Sequence, residues 1–390
     1  MGFALLFILP NGSGPGATVN PQPSGKAILR LSYRAASYEG ASRPYTVSFF
    51  DTEAGTHVGG LVGTDGNGSI FISDPLTRGS CLLKRFDRRG KLIGSWGPIA
   101  VNAIESVVVT NDGLIWAALE EDSENQVQGL PFIALRVGKQ KPLIDWRKEI
   151  PQSLKEKVTR ALDELKLKWD TGWRVFEMHV GENNVGILAH GRAVGGENGI
   201  TRELWMLLGG DGELADTKVI RPGQPLPLLD PMGEIWFRLN DFEAKGFTWN
   251  RLWLWPSGQP RGTPLIDRTS EPEPWSDHIT LGKPNPPQTR IDARGQIYLD
   301  FLRADTKAHK RRFVVEDKVI YEDYGQGGAN GERALVVLDR NRKYVTSTGW
   351  IPTSVEICDG WVKPLPDGSG FYRIQFMEKE AVVYFHALPK

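Results

Sequence analysis

The chain has 390 residues, with 47 basic and 47 acidic side chains, and 40% of it is hydrophobic. That length can bury a large core, and the even charge gives no reason to expect nucleic acid or an anionic membrane surface as a partner. Its 44 glycines, 26 prolines and 13 tryptophans favour strands joined by tight turns over packed helices.

Residues 1–25 open with an apolar run, Phe3–Pro10, followed by a Gly/Pro/Asn-rich stretch. The run is too short to span a bilayer, and no longer apolar segment follows, so no transmembrane segment is expected. It reads either as the end of a secretory signal, without a basic leading region or a clean cleavage site, or as a disordered tail. The first reading places the protein outside the cytoplasm, secreted or periplasmic; the second leaves the cytoplasm open. A single domain is expected over 26–390, as a monomer.

Two strand-like segments come next, "AILRLSYRAA" (27–36) and "YTVSFFD" (45–51). From residue 65 a unit begins to recur: a polar turn with glycine, a short apolar strand, a variable loop, a second apolar strand, an acid-containing turn and a further strand. Its copies begin at "DGNGSIFISD" (65–74), "NDGLIWAAL" (111–119), "ENNVGILAHG" (182–191), "DPMGEIWFRL" (230–239), "DARGQIYLDFL" (292–302) and "PDGSGFYRIQF" (366–376). The leading turn carries Gly68, Gly113, Gly233, Gly295 and Gly370, with Asn184 in the third copy. The strand after it centres on an aliphatic–aromatic pair such as Ile115-Trp116 or Ile235-Trp236, one side chain for each face of a strand buried on both sides.

Six such units arranged radially make an all-β protein, a six-bladed β-propeller. The last unit stops one strand short, so an N-terminal strand is expected to complete it and close the ring. One insertion near 151–169, "PQSLKEKVTRALDELKLKW", is helical in pattern, with Leu154, Val158, Leu162, Leu165 and Trp169 on one stripe and Ser153 and Glu156 as a capping box. The basic run "KAHKRR" (307–312) reads as a solvated hairpin tip. Cys81 and Cys358 read either as two buried thiols or as one disulfide.

The stretch "DGNGSIFISDP…LLKRFDRRGKLIGSWG" in the first unit resembles an NHL-type propeller repeat, with an acid–glycine turn, a short apolar strand, a variable loop and a hydrophobic-x-Phe-Asp-x-x-Gly-Lys signature. The resemblance implies a six-bladed propeller, a fold used for binding proteins, glycans or RNA and, in related propellers, for hydrolysing lactones or esters.

Loops leaving the second strand of each unit reach one face of such a ring. They carry Asp74, Glu120, His190 with Arg192, Asn240 with Asp241, and Arg303. Glu120, His190, Arg192, Asn240, Asp241 and Arg303, with Trp249 and Trp275 in connecting loops, are the candidate ligand contacts; tryptophan stacks on sugars or anchors a protein partner. Two functions are compatible with this set. In the first, the chain is a non-enzymatic binding or scaffold propeller, without a cofactor, recognising a protein or glycan ligand. In the second, which a resemblance to gluconolactonase-like propellers implies, Asp74, Glu120, Asn240 and Asp300 hold Ca2+ or another divalent cation that hydrolyses a substrate.

Overall fold

The computed structural model describes residues 25–37, 43–52, 55–77, 79–110, 112–120, 132–139, 141–148, 152–163, 173–180, 187–194, 201–208, 214–220, 224–242, 249–269, 275, 279, 285–304, 309–324, 331–352 and 361–389. They form an all-β propeller of four-stranded antiparallel blades.

The first blade runs Leu61–Thr64, Ile70–Thr77, Ser80–Phe86, Leu92–Ile99; the second runs Ala103–Val109, Leu114–Glu120, Phe132–Arg136, Ile144–Asp145. The third runs Trp173–Val180, Ile187–Val194, Thr201–Leu208, Leu214–Ile220, and the fourth Leu226–Leu229, Ile235–Phe242, Trp249–Pro256, Ile266–Asp267. The fifth runs Gln288–Ile291, Ile297–Ala304, Gly331–Leu338, Tyr344–Ser347, with Ile351–Pro352 added beside Gly331–Leu338.

The expectation of six like units is corrected here: five blades are continuous in the chain, and the last unit exists only within a composite six-stranded sheet. That sheet is ordered Val362–Pro364, Gly370–Phe376, Glu380–Ala387, Lys26–Ala35, Thr46–Thr52, Gly55–Val58. Lys26–Ala35 pairs antiparallel with Glu380–Ala387, so the first of the two N-terminal segments completes the closing sheet. The second, Thr46–Thr52, lies parallel outside it.

The turns repeat because an aspartate organises them. Asp65, Asp87, Asp230, Asp292 and Asp339 each accept, on Oδ1, the backbone N–H groups two and four residues on. The side chain does the work of a turn carbonyl. The residue three after the acid then sits at positive φ: Gly68 at 73°, Gly90 at 80°, Gly233 at 86° and Gly295 at 74°. In the last unit Gly368, at 68°, holds this place, not Gly370, and its amide donates to Leu365 O. Arg342 occupies the place in the fifth blade at 66°, while its guanidinium reaches back to Thr263 O and Leu254 O of the fourth.

Gly90 shows what such a turn requires. A Cβ there would lie 2.3 Å from Ile28 O on the ring-closing strand. Gly90→Ala is expected to cost at least about 1–2 kcal/mol from the left-handed backbone alone, read as a lower denaturation midpoint. An unchanged midpoint would mean that the turn does not abut that strand.

Apolar side chains on both faces of each strand join neighbouring blades. One cluster links Ile70, Ile72 and Phe86 of the first blade, Tyr298 and Val337 of the fifth, and the closing sheet through Leu31, Phe371 and Val383. Another joins the fourth and fifth blades, and a third the first and second.

The insertion in the fifth blade is a hairpin, His309–Val315 with Lys318–Tyr324, whose tip is not the basic run. The basic run therefore ends inside a strand, and the turn is Glu316-Asp317, with φ of 46° and 68°. Phe313 sits between Tyr33 and Phe49 of the closing sheet at 5.8 and 5.0 Å. One helix, Gln152–Asp163, lies between the second and third blades; its first residue precedes Ser153, so Ser153 does not cap it from outside. Leu165 and Trp169 lie outside the described residues. Among the described residues no helix is long and apolar enough to cross a membrane.

Candidate functional site

Inner strands of all five continuous blades and of the closing sheet converge on one cavity of about 90 Å³ on the ring axis. Its walls are the far ends of those strands, next to the first turn of each unit: Gly63 and Thr64, Val107 and Val108, Leu229, Arg290 to Asp292, and Lys363 to Pro366. Gly63 lets two blades meet there, since a Cβ would lie 2.5 Å from Val107 O.

Three charged groups face this space. Lys363 is 2% exposed and Asp292 likewise 2%; Arg290 is half-buried. Asp292 is committed to its own blade. Its Oδ1 accepts from the Arg294 and Gln296 amides at 2.8 and 3.0 Å, and its Oδ2 accepts from the Tyr298 hydroxyl at 2.8 Å. Burial raises the Asp292 carboxyl above the ordinary carboxylate range, against the pull of those donors. Burial, with Asp292 adding to it, also pushes the Tyr298 phenol upward. Thr64 Oγ1 donates to Pro364 O at 2.9 Å, tying the first blade to the closing sheet.

The residues singled out from the sequence lie toward the opposite end of the blades. Asp74 is not a loop ligand; it is a wholly buried strand residue. Its Oδ2 meets Arg34 Nη2 at 2.9 Å and Lys84 Nζ at 2.7 Å, and its Oδ1 accepts from Ser48 N at 2.8 Å. Lys84 also donates to Thr46 O at 2.8 Å and Arg43 O at 3.1 Å. Burial pulls the Lys84 ammonium below its ordinary value, and Asp74 opposes that. Asp300 accepts from Trp361 Nε1 at 2.9 Å, with Arg333 at 3.7 Å.

Asn240 is half-buried and Asp241 exposed, in register with Leu252 and Arg251. Arg303 pairs with Glu332 at 2.5 Å and lies over the Trp350 ring at 4.0 Å. Trp249 and Trp275 are 1% and 0% exposed, so neither presents the open ring face expected of a ligand contact. Trp249 starts a strand and stacks on Phe301 at 6.5 Å. Glu120, His190 and Arg192 lie in strands, with His190 in register with Trp205; their side chains lie outside the described residues. Among the described residues no three histidine, cysteine or carboxylate groups come together as a metal site. Cys81 is a free, buried thiol, pushed up to about 12 chiefly by burial; Cys358 lies outside the described residues.

The axial cavity escaped sequence reading because its walls come from single residues spread from Gly63 to Pro366. The one local signal was position, since the wall residues of the first, second, fourth and fifth blades and of the closing sheet lie next to a turn that carries Asp and Gly.

No family model and no curated protein matches the sequence. Among solved structures, the polysaccharide lyase Uly1 aligns over 94% of this chain and 98% of its own at 10% identity, with a TM-score of 0.41. Virginiamycin B lyase from Staphylococcus aureus aligns over 84% and 94% at 12% identity, TM-score 0.33. The C-terminal WD40 domain of Sif2 aligns over 94% and 99% at 10% identity, also with a TM-score of 0.33. Similarity at this distance does not extend to activity, and the propeller is established by the order of the strands themselves.

Proposed function

We propose that the chain is a non-enzymatic binding propeller that recognises a protein or glycan through one face, centred on the axial mouth beside the first turns. The size of the axial cavity supports this reading. At about 90 Å³ it is well below the ~300–1,000 Å³ of pockets that enclose a small-molecule substrate, so a ligand would rest on the face and insert only a small group. The candidate metal ligands favour binding too: Asp74 already satisfies two buried cations, and Asp300 holds an indole N–H. A location outside the cytoplasm belongs to the same proposal and rests on the apolar run Phe3–Pro10.

The test is a melting-temperature series with Ca2+, Mg2+, Mn2+, Zn2+ and chelator, run beside glycan and peptide binding panels and lactone and ester turnover assays. The expected result is saturable panel binding, no metal-dependent turnover, and no rise in melting temperature of the kind that a ligand specific to the folded state produces. A metal-dependent rise of several degrees together with turnover would establish the gluconolactonase-like alternative.

A further inference from the structure

We infer that the axial cavity is a receptor for a single carboxylate carried on a short apolar stem, as a protein partner presents on a glutamate side chain. This rests on the binding reading above and names the group that enters the axis.

Charge is the first ground. Arg290 and Lys363 line the cavity with one carboxylate, Asp292, and both Asp292 oxygens are engaged by its own turn and by Tyr298. Among the described residues no ion pair or hydrogen bond holds the Arg290 guanidinium. A guanidinium is a planar fork matched to a carboxylate, and partial burial strengthens the pairing.

The apolar side chains of the lining are the second ground, and they suit a carboxylate stem better than a sugar. Pro231, Pro364 and Pro366 have no N–H to donate, and Val107, Leu229 and Leu365 offer only hydrocarbon. The Thr64 hydroxyl is spent on Pro364 O. A sugar ring entering here would set several hydroxyls against prolines and aliphatic side chains, with the Arg290 guanidinium able to serve only some of them. An aliphatic stem loses little, and its charged end meets Arg290.

Volume is the third ground. The cavity of about 90 Å³ has room for several waters, and so for a carboxylate and a short methylene stem.

The experiment is ligand-observed NMR on the full chain with butyrate, butyramide, glucuronate, sulfate and the blocked peptide acetyl-Gly-Glu-Gly-amide. Butyrate and the peptide are expected to bind saturably. Butyramide, which has the same shape without the charge, is expected to fail, and glucuronate and sulfate to bind at least tenfold more weakly than butyrate. A peptide tighter than butyrate identifies a protein source for the carboxylate; butyrate tighter than the peptide identifies a free short-chain acid. Arg290→Gln, at a half-buried position, is expected to keep the parent melting temperature and lose at least tenfold in butyrate affinity. Equal binding of butyrate and butyramide, tighter binding of glucuronate or sulfate, or an unchanged affinity in Arg290→Gln would each overturn the inference. Such a failure is distinct from failure of the binding reading, which metal-dependent turnover would show with butyrate binding intact.

Discussion

Asp74→Ala is expected to lower the stability of the fold by about 3–5 kcal/mol, the range for removing one partner of a buried ion pair. The size follows from what is left behind. Arg34 and Lys84 are each 1% exposed at their side chains and share Asp74 Oδ2. Without the carboxylate, two like charges would face each other with only main-chain carbonyls and a hydroxyl for support: Thr46 Oγ1, Ala35 O and Ser37 O for Arg34, and Thr46 O and Arg43 O for Lys84. Arg34 belongs to the ring-closing strand, while Asp74 and Lys84 belong to the first blade, so the loss falls on the seam of the ring. Chemical denaturation measures it, and faster proteolysis around residues 26–52 should accompany it. The triple variant Arg34→Met, Asp74→Leu, Lys84→Met should be less damaged than Asp74→Ala, because a buried ion cluster replaced whole by apolar groups is often tolerated. A single variant within about 1 kcal/mol of the parent, the size of an exposed pair, would refute the account.

The other candidate metal acid has a matching place. Asp300 of the fifth blade accepts from Trp361 at the start of the closing sheet. Asp74 and Asp300 thus fasten the composite sheet to its neighbours on either side. The fifth-blade hairpin adds a third fastening, with Phe313 between Tyr33 and Phe49, Val314 N donating to Glu378 O, and Glu316 paired with Arg43 at 2.6 Å. A ring whose last sheet is assembled from both chain ends pays the entropy of a long closure, and the buried polar contacts collect at that joint.

What was legible in the sequence was local. An Asp three residues before a Gly, followed by an apolar–aromatic pair, describes one turn and the strand that leaves it, and both interactions lie within about six residues. Asp292 shows the economy of the device: it closes its turn through Oδ1 and receives Tyr298, six residues on, through Oδ2. Trp236 reaches Asp230 in the same way. In the first blade that position is Phe71, which has no donor; Arg85 takes the Asp65 oxygen instead and lies over the Phe71 ring at 5.5 Å. What was not legible was long-range. Asp74 reads as a loop acid until Arg34, forty residues earlier, comes beside it. The run around Arg311 and Arg312 reads as a tip because the burial of Phe313 depends on a sheet made from the other end of the chain. Trp249 and Trp275 look free because nothing near them in sequence shows what covers them.

The closing sheet should also set the response to acid. His386 is 4% exposed, stacked on Phe371 at 4.7 Å, and its Nε2 accepts from Arg373 Nε at 3.4 Å. Acceptance at Nε2 requires the neutral ring. Burial, reinforced by the Arg373 charge, lowers the imidazole from 6.5 to about 4. The unfolded chain therefore takes up a proton below pH ~6.5 that the folded protein refuses until about pH 4. The stability from this histidine is fully present above ~6.5, is lost as pH falls toward 4, and amounts to about 3 kcal/mol. Asp87, Asp112 and Asp145, held below their ordinary 3.8, add their losses at lower pH. Asp292, raised by burial, works in the opposite sense, because its folded form binds a proton more readily than the unfolded one. The measurement is therefore a difference: denaturation midpoints of the parent and His386→Gln between pH 7 and pH 4, where glutamine still offers Arg373 an acceptor and does not titrate. The parent should lose about 3 kcal/mol more than the variant across that interval; parallel curves would show that His386 is not the group that senses acid.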